Sequence, residues 1–269
     1  MFKRSILLAF IAFALISCED ETGVQPNEHD ITKALPDDFS VLIYRDIINH
    51  NYKLSMTTVE SYSLDYTYKI NSVNTVNNDN SFISMKLNEL QGYKNPDFDG
   101  SSVKKADVFI NLGSLNKNRY DLTVTHPKLG DYNAVIKIFD NFMSIESEND
   151  DNFVILQHDT VRFLPDNVFW GTVTYSETSD FDPEQFMLDL LENGAKQTVL
   201  ESGFYSYFTV KNDGGIQPKS YENSDGINLN YYFEYTDLDK VKAVIDSYTK
   251  DIVKVINFTA DGEVFPEIE

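Results

Sequence analysis

Tyr62, Leu64, Tyr66, Tyr68 and Ile70 alternate with Ser63, Asp65, Thr67, Lys69 and Asn71. A period of two places large side chains on one face of an extended strand and polar ones on the other. The same alternation returns at Tyr52, Leu54 and Met56, and at Ile83, Met85 and Leu87. It continues over residues 108–112, at Tyr120, Leu122 and Val124, at Ala134, Ile136 and Ile138, and over 153–156. Asn, Asp, Gly and Pro fill the gaps. So many short strands, without a convincing helix between them, predict a mainly β protein whose residues 39–165 form an antiparallel β-sandwich. An apolar content of 42%, with 13% aromatic, is enough to fill such a core and excludes wholesale disorder.

The texture changes over residues 166–269. Residues 168–175 read as a strand carrying the only tryptophan, Trp170. Asp182-Pro183-Glu184-Gln185 opens a helix, with Asp182 as cap, Pro183 in the first turn and Gln185 at capping-box spacing. Asn193-Gly194 ends it. A second strand is expected over 204–210, a polar loop over 211–226 and a third strand over 230–235. Thr236 or Asp237 then caps a helix with Leu238, Val241, Ile245 and Tyr248 on one face. A strand over 252–258 and a turn at Asp261-Gly262 follow, with Val264 and Phe265 as a hairpin arm. The order β-α-β-β-α-β predicts a ferredoxin-like α+β domain. The alternative joins these strands to the preceding sandwich as one larger α+β unit.

The amino-terminal segment, residues 1–17, reads as a signal peptide. Lys3 and Arg4 precede an uncharged apolar run from Ile6 to Ile16, too short for the ~20 residues a membrane span needs. Leu15-Ile16-Ser17-Cys18 resembles the lipobox of bacterial lipoproteins, and Cys18 is the only cysteine in the chain. The resemblance implies cleavage before Cys18, acylation of its thiol and amine, and membrane lipid as a partner through Cys18. Glu19-Asp20-Glu21 resembles the surface-export signal of Bacteroidota lipoproteins, which implies a cell-envelope, outer-membrane and surface-exposed location; an acidic linker is the other reading. Residues 18–38 read as the lipidated cysteine and a flexible tether, with Gly23, Pro26 and Pro36 as breakers.

Leu115-Asn116-Lys117-Asn118-Arg119-Tyr120-Asp121-Leu122-Thr123-Val124 resembles the L-x-x-G-x-Y-x-L-x-V segment of immunoglobulin-like domains. There the tyrosine at the strand start bonds back to the preceding turn. The resemblance implies an Ig-like sandwich and says almost nothing about function.

Asp and Glu number 43 against 22 Lys and Arg, so nucleic acid is not an expected partner. One cysteine excludes an internal disulfide framework. His50, His126 and His158 show no metal-binding spacing, and His158-Asp159 reads better as a strand-end polar pair than as a base with its acid. Asp97/Asp99, Asp180/Asp182 and Asp237/Asp239 could be drawn as acid-base pairs, but so acidic a chain yields such spacings by chance. Asn95, Asp97 and Asp99 followed by Gly100 match half a calcium loop, yet the twelfth position is Ala106, so an Asx-rich turn is expected instead. Asp159-Thr160-Val161 resembles a short O-glycosylation acceptor of Bacteroidota, which would put a glycan on Thr160. The two-sided aromatic runs Phe204, Tyr205, Tyr207, Phe208 and Tyr231-Tyr232-Phe233 suggest an interface.

The expected function is a membrane-anchored, non-enzymatic binding or adhesion module for a protein or glycan, with no catalytic residue and no cofactor. The alternatives are an assembly accessory of an outer-membrane complex and a carboxylate-dependent hydrolase.

Overall fold

A computed structural model of the chain describes residues 30–96, 102–148, 153–219, 226–250 and 252–265. The first half contains strands β1 (Ile31–Lys33), β2 (Phe39–Arg45), β3 (Tyr52–Ser63), β4 (Tyr66–Asn77), β5 (Phe82–Lys94) and β6 (Val103–Gly113). They are followed by β7 (Arg119–His126), β8 (Gly130–Ile138), β9 (Phe142–Ser147), β10 (Val154–Leu156) and β11 (Thr160–Arg162). The second half runs β12 (Val168–Tyr175), α1 (Pro183–Glu192), β13 (Ala195–Lys196), β14 (Gly203–Phe204), β15 (Phe208–Val210) and β16 (Ile216–Pro218). It closes with β17 (Ile227–Tyr235), α2 (Leu238–Tyr248), β18 (Lys254–Thr259) and β19 (Val264–Phe265). The protein is mainly β, and most strand pairs are antiparallel.

The first sheet has the order β10-β2-β3-β6-β4-β5-β7-β8-β9-β11-β14-β15-β16, with β1 added on β5. It curls back on itself. Phe39 of β2 touches His126 at the end of β7, and Tyr52 of β3 meets Phe163 beyond β11. The alternating side chains thereby face a shared core: Leu54, Met56, Met85, Leu87, Leu122, Val124 and Ile136 are all nearly inaccessible to solvent. The run 62–70 is not one strand. The chain turns a corner at Leu64-Asp65, and β3 and β4 flank β6 instead of pairing with each other. The period of two survives the corner, and Tyr62, Tyr66 and Tyr68 cluster there, with ring centres 5.0 Å apart for Tyr62 and Tyr68.

Tyr120 behaves as its motif implies. Its side chain is fully buried at the start of β7. The hydroxyl accepts from the Asn116 and Lys117 backbone N–H groups at 2.9 and 3.2 Å and donates to Asn78 Oδ1 at 2.7 Å. Tyr120→Phe should lower the unfolding free energy by about 2 kcal/mol, since it strands those groups. A denaturant melt with an unchanged midpoint would refute this role.

The second sheet has the order β13-β17-β12-β18-β19, and all its pairs are antiparallel. Setting β19 aside, the strands of the β-α-β-β-α-β series lie in the order second, third, first, fourth, which is the ferredoxin-like arrangement. The second strand, however, is the short β13 and not 204–210. Residues 203–218 leave this sheet and extend the first one as β14, β15 and β16. Asp182 caps α1 by accepting from the Glu184 and Gln185 N–H groups, while the Gln185 side chain bonds Asp189, so only half of the capping box forms. Asp237 caps α2.

The central strand β12 is buried along almost its whole length because both faces are covered. On one face, Phe169 and Val173 pack with Tyr231, Phe233, Phe186, Leu190, Val241 and Ile245 beneath the helices. On the other, Trp170 packs with Phe208, Tyr205, Val210 and Ile216 of the β14–β16 meander. Trp170 stands 4.9 Å from the Phe208 ring and 4.7 Å from Phe258. Only one residue pair, Val161 with Phe204, joins β11 to β14. A backbone bond contributes ~1 kcal/mol, whereas each large buried side chain contributes ~1.5–3 kcal/mol. Aromatic packing, not strand pairing, therefore holds the meander between the two sheets. The sheet ends are short: β10 and β16 have three residues, β13 and β19 two.

Candidate functional site

A cleft lies where the two sheets meet. The turn after β2, the end of β11, the tip between β14 and β15 and the turn after β18 all line it. Its polar residues are Arg45, His50, Arg162, Tyr205 and Ser206, and Ile47, Phe163, Leu164 and Ala260 form its apolar wall.

Each wall has a local cause. Arg45 is the last residue of β2 and Arg162 the last of β11, so both side chains leave strand ends. The turn between β2 and β3 is tied by Asp46, whose N–H donates to the Asn51 carbonyl and whose carboxylate accepts from Ile48 N–H. His50 occupies the left-handed region there, at φ 53°. Asp46 is almost fully buried; it pairs with Lys53 and accepts from the Tyr207 hydroxyl at 3.2 Å. Burial raises its pKa, but Lys53, Ile48 N–H and Tyr207 outweigh that and hold the carboxyl below the usual aspartate range. Gly262, at φ +88°, brings the β18–β19 turn against the Ile47–Ile48 backbone, where a Cβ would stand 2.4 Å from the Ile48 Cα.

The tip between β14 and β15 is a tight γ-turn. Tyr207 N–H donates to the Tyr205 carbonyl at 2.7 Å around Ser206, whose φ is 65°. A non-glycine residue held there costs about 1–3 kcal/mol, offset here by the buried rings on either side. Burial pushes the Tyr205 phenol up to about 12, and its hydroxyl donates to the Glu201 carbonyl.

The two arginines are held differently. Arg162 Nε donates to the Ser202 carbonyl at 2.9 Å, and its guanidinium pairs with Glu201. Arg45 lies over the Phe163 ring, 5.2 Å from its centre, and pairs with no carboxylate among the described residues. Its backbone N–H donates to Ser206 Oγ at 3.3 Å.

The sequence candidates fall elsewhere. Cys18, Asp97 and Asp99 lie outside the described residues. Asn95 lies just beyond β5 and its N–H donates to the Asp65 carbonyl. Among the described residues no three His, Cys, Asp or Glu side chains are grouped so as to hold a metal ion. Thr160 is half-buried in β11 opposite Ser144. Asp182 and Asp237 are taken up by helix capping. His126 is buried; its Nδ1 accepts from the Lys128 and Leu129 N–H groups, which requires the neutral ring, and burial lowers its pKa accordingly. His158 lies flat on Phe204, 4.0 Å between ring centres, with its pKa lowered by burial and by Lys219. The two-sided aromatic runs are not an open interface. Phe204, Tyr205, Phe208, Tyr231 and Phe233 are buried, because their strands carry cover on both faces.

Sequence reasoning missed Arg45, Arg162 and Ser206, and singled out Tyr205 only as part of an aromatic run. A signal was present for the first two. The chain has only four arginines, Arg4, Arg45, Arg119 and Arg162, and two of them end apolar strands. Comparison with protein-family models, with curated proteins and with solved structures finds no match.

Proposed function

We propose that the chain is a lipid-anchored envelope lipoprotein, placed at the outer membrane and facing outward. Its folded part is a non-enzymatic binding module for a protein or glycan. The observation that carries this reading is Cys18, the sole cysteine, standing directly after a basic start, an apolar run and Leu15-Ile16-Ser17. More than one acyl chain, at ~0.8 kcal/mol per buried methylene, anchors stably. Among the described residues no helix is long and apolar enough to cross a membrane, so none of them offers a helical alternative to the lipid. The cleft between the sheets is the binding site in this reading.

The experiment is metabolic labelling with radioactive palmitate in a bacterial host. Wild type should incorporate label and float with membranes; Cys18→Ser should lose both. Equal labelling of the two proteins would refute the anchor.

A further inference from the structure

We propose that the cleft binds the oxyanion group of a small solute of low net charge, a carboxylate or a phosphate, with Arg45 as the recognising fork and Ser206 as a second donor. This deepens the reading of the cleft as the binding site and rests on it.

Three observations carry it. The first is charge. Acids outnumber bases about two to one in the chain, yet the cleft is lined by two arginines and His50, with no Asp or Glu. Arg45 and Arg162 are two of the three arginines outside the segment read as leader. The second is the state of Arg45. The Phe163 ring, with its centre 5.2 Å from the guanidinium carbon, holds Arg45 without occupying its N–H donors, and a carboxylate or phosphate meets such donors two at a time. Arg162 is oriented and neutralised by Glu201 and Ser202, and Asp46 beside Arg45 is turned to Lys53. Arg45 thus keeps its full charge for a ligand. The third is Ser206. It is buried in the cleft wall, its oxygen accepts from Arg45 N–H, and its hydroxyl hydrogen has no acceptor among the described residues. A hydroxyl with an occupied lone pair and a free hydrogen donates to whatever enters.

The same charges limit the ligand's size. A net charge of −21 repels a polyanion at long range. A compact solute with a single oxyanion feels that field weakly and the local arginine strongly. Nucleic acids and polyphosphates are therefore poor ligands, and with an inner space of about 20 Å³ the cleft takes up the oxyanion itself while the rest of a sugar acid or phosphate monoester stays outside.

The test is calorimetric titration of the full acylated protein in detergent, at low salt, with galacturonate, galactose and inorganic phosphate. Saturable binding of galacturonate or phosphate is expected, with Kd at or below about 1 mM. Arg45→Gln should weaken it at least ~10-fold, the loss of a charge-assisted fork. Ser206→Ala should weaken it several-fold, and Arg119→Gln, which alters an exposed pair with Asp121, should leave it unchanged. Response to galacturonate alone identifies an organic acid as the source; response to phosphate alone identifies a phosphate. The melting temperature of each variant shows whether it folds, and Arg45→Lys, which keeps the charge and loses the fork, should bind at an intermediate strength. Binding of neither anion, or equal binding by Arg45→Gln, overturns the proposal. Galactose bound as well as galacturonate, insensitive to Arg45, overturns the proposal. Palmitate labelling is indifferent to Arg45, so a labelled protein that ignores every probe sinks this inference and not the anchor.

Discussion

Gly171→Ala should destabilise the protein by about 3–5 kcal/mol, since it combines overpacking with the loss of buried hydrogen bonds. Gly171 sits in the middle of β12, paired with Tyr231 on one side and Asn257 on the other. A Cβ there would stand 2.0 Å from Asn257 Oδ1 and 2.7 Å from the Ile256 carbonyl oxygen. The first neighbour could move only by giving up its partners. Asn257 is fully buried, accepts from the Tyr231 hydroxyl at 2.6 Å and donates to the Phe265 carbonyl at 3.1 Å. The second neighbour is backbone in a paired strand. A fall in melting temperature of roughly 10 °C corresponds to that cost in a chain of this size. A double-mutant cycle with Asn257→Ala gives the sharper reading. The two changes should cost less together than their sum, because the clash disappears with the side chain. A fall below about 1 kcal/mol for Gly171→Ala alone would mean that β12 and β18 can separate freely, contrary to the packing described.

Asp46→Ala carries the second large effect, about 3 kcal/mol at neutral pH, as for a buried pair that loses one member and leaves Lys53, the Ile48 N–H and the Tyr207 hydroxyl unpaired. Lys53 keeps some contact with water, which places the cost toward the low end of the usual range. The pH dependence distinguishes this pair from simple packing. The carboxyl titrates lower in the fold than in the unfolded chain, so the unfolded chain takes up the proton first as pH falls. The contribution of Asp46 is therefore full above its unfolded pKa and fades as pH drops through the folded one. Chemical melts of wild type and Asp46→Ala should differ by a constant amount from pH 5 to 8, and the gap should close below about pH 4. A gap that persists into acid would show that Asp46 acts through shape alone.

Much of the fold was legible because alternation is a local signal. Residues 168–175 match β12 end to end, Asp182 marks the start of α1, and of the two candidates Thr236 and Asp237 it is Asp237 that caps α2. Two things were not legible. The strand over 204–210 belongs to the first sheet, as the alternative of one larger unit has it and not the ferredoxin-like series; its partners Val161 and Trp170 are distant in sequence, and nothing in its own composition names them. Its two-sided aromatic pattern suggests an interface, although a strand covered from both sides produces the same pattern. The corner at Leu64-Asp65 was hidden for a related reason, because inward-facing residues keep their period when the chain bends. The cleft was the least visible feature. Its residues come from four turns or strand ends, and no short motif links Arg45, Arg162 and Ser206.

The placement of β14 also bears on the order in which the protein can be completed. A chain appearing from its amino terminus presents β11 with one bare side until residues 203–218 arrive, and by then β12 and α1 have already been made. An unclosed strand edge is where foreign chains add on. During that interval a nascent copy is most open to mispairing with its neighbours, and a holding chaperone would do its best work in that gap.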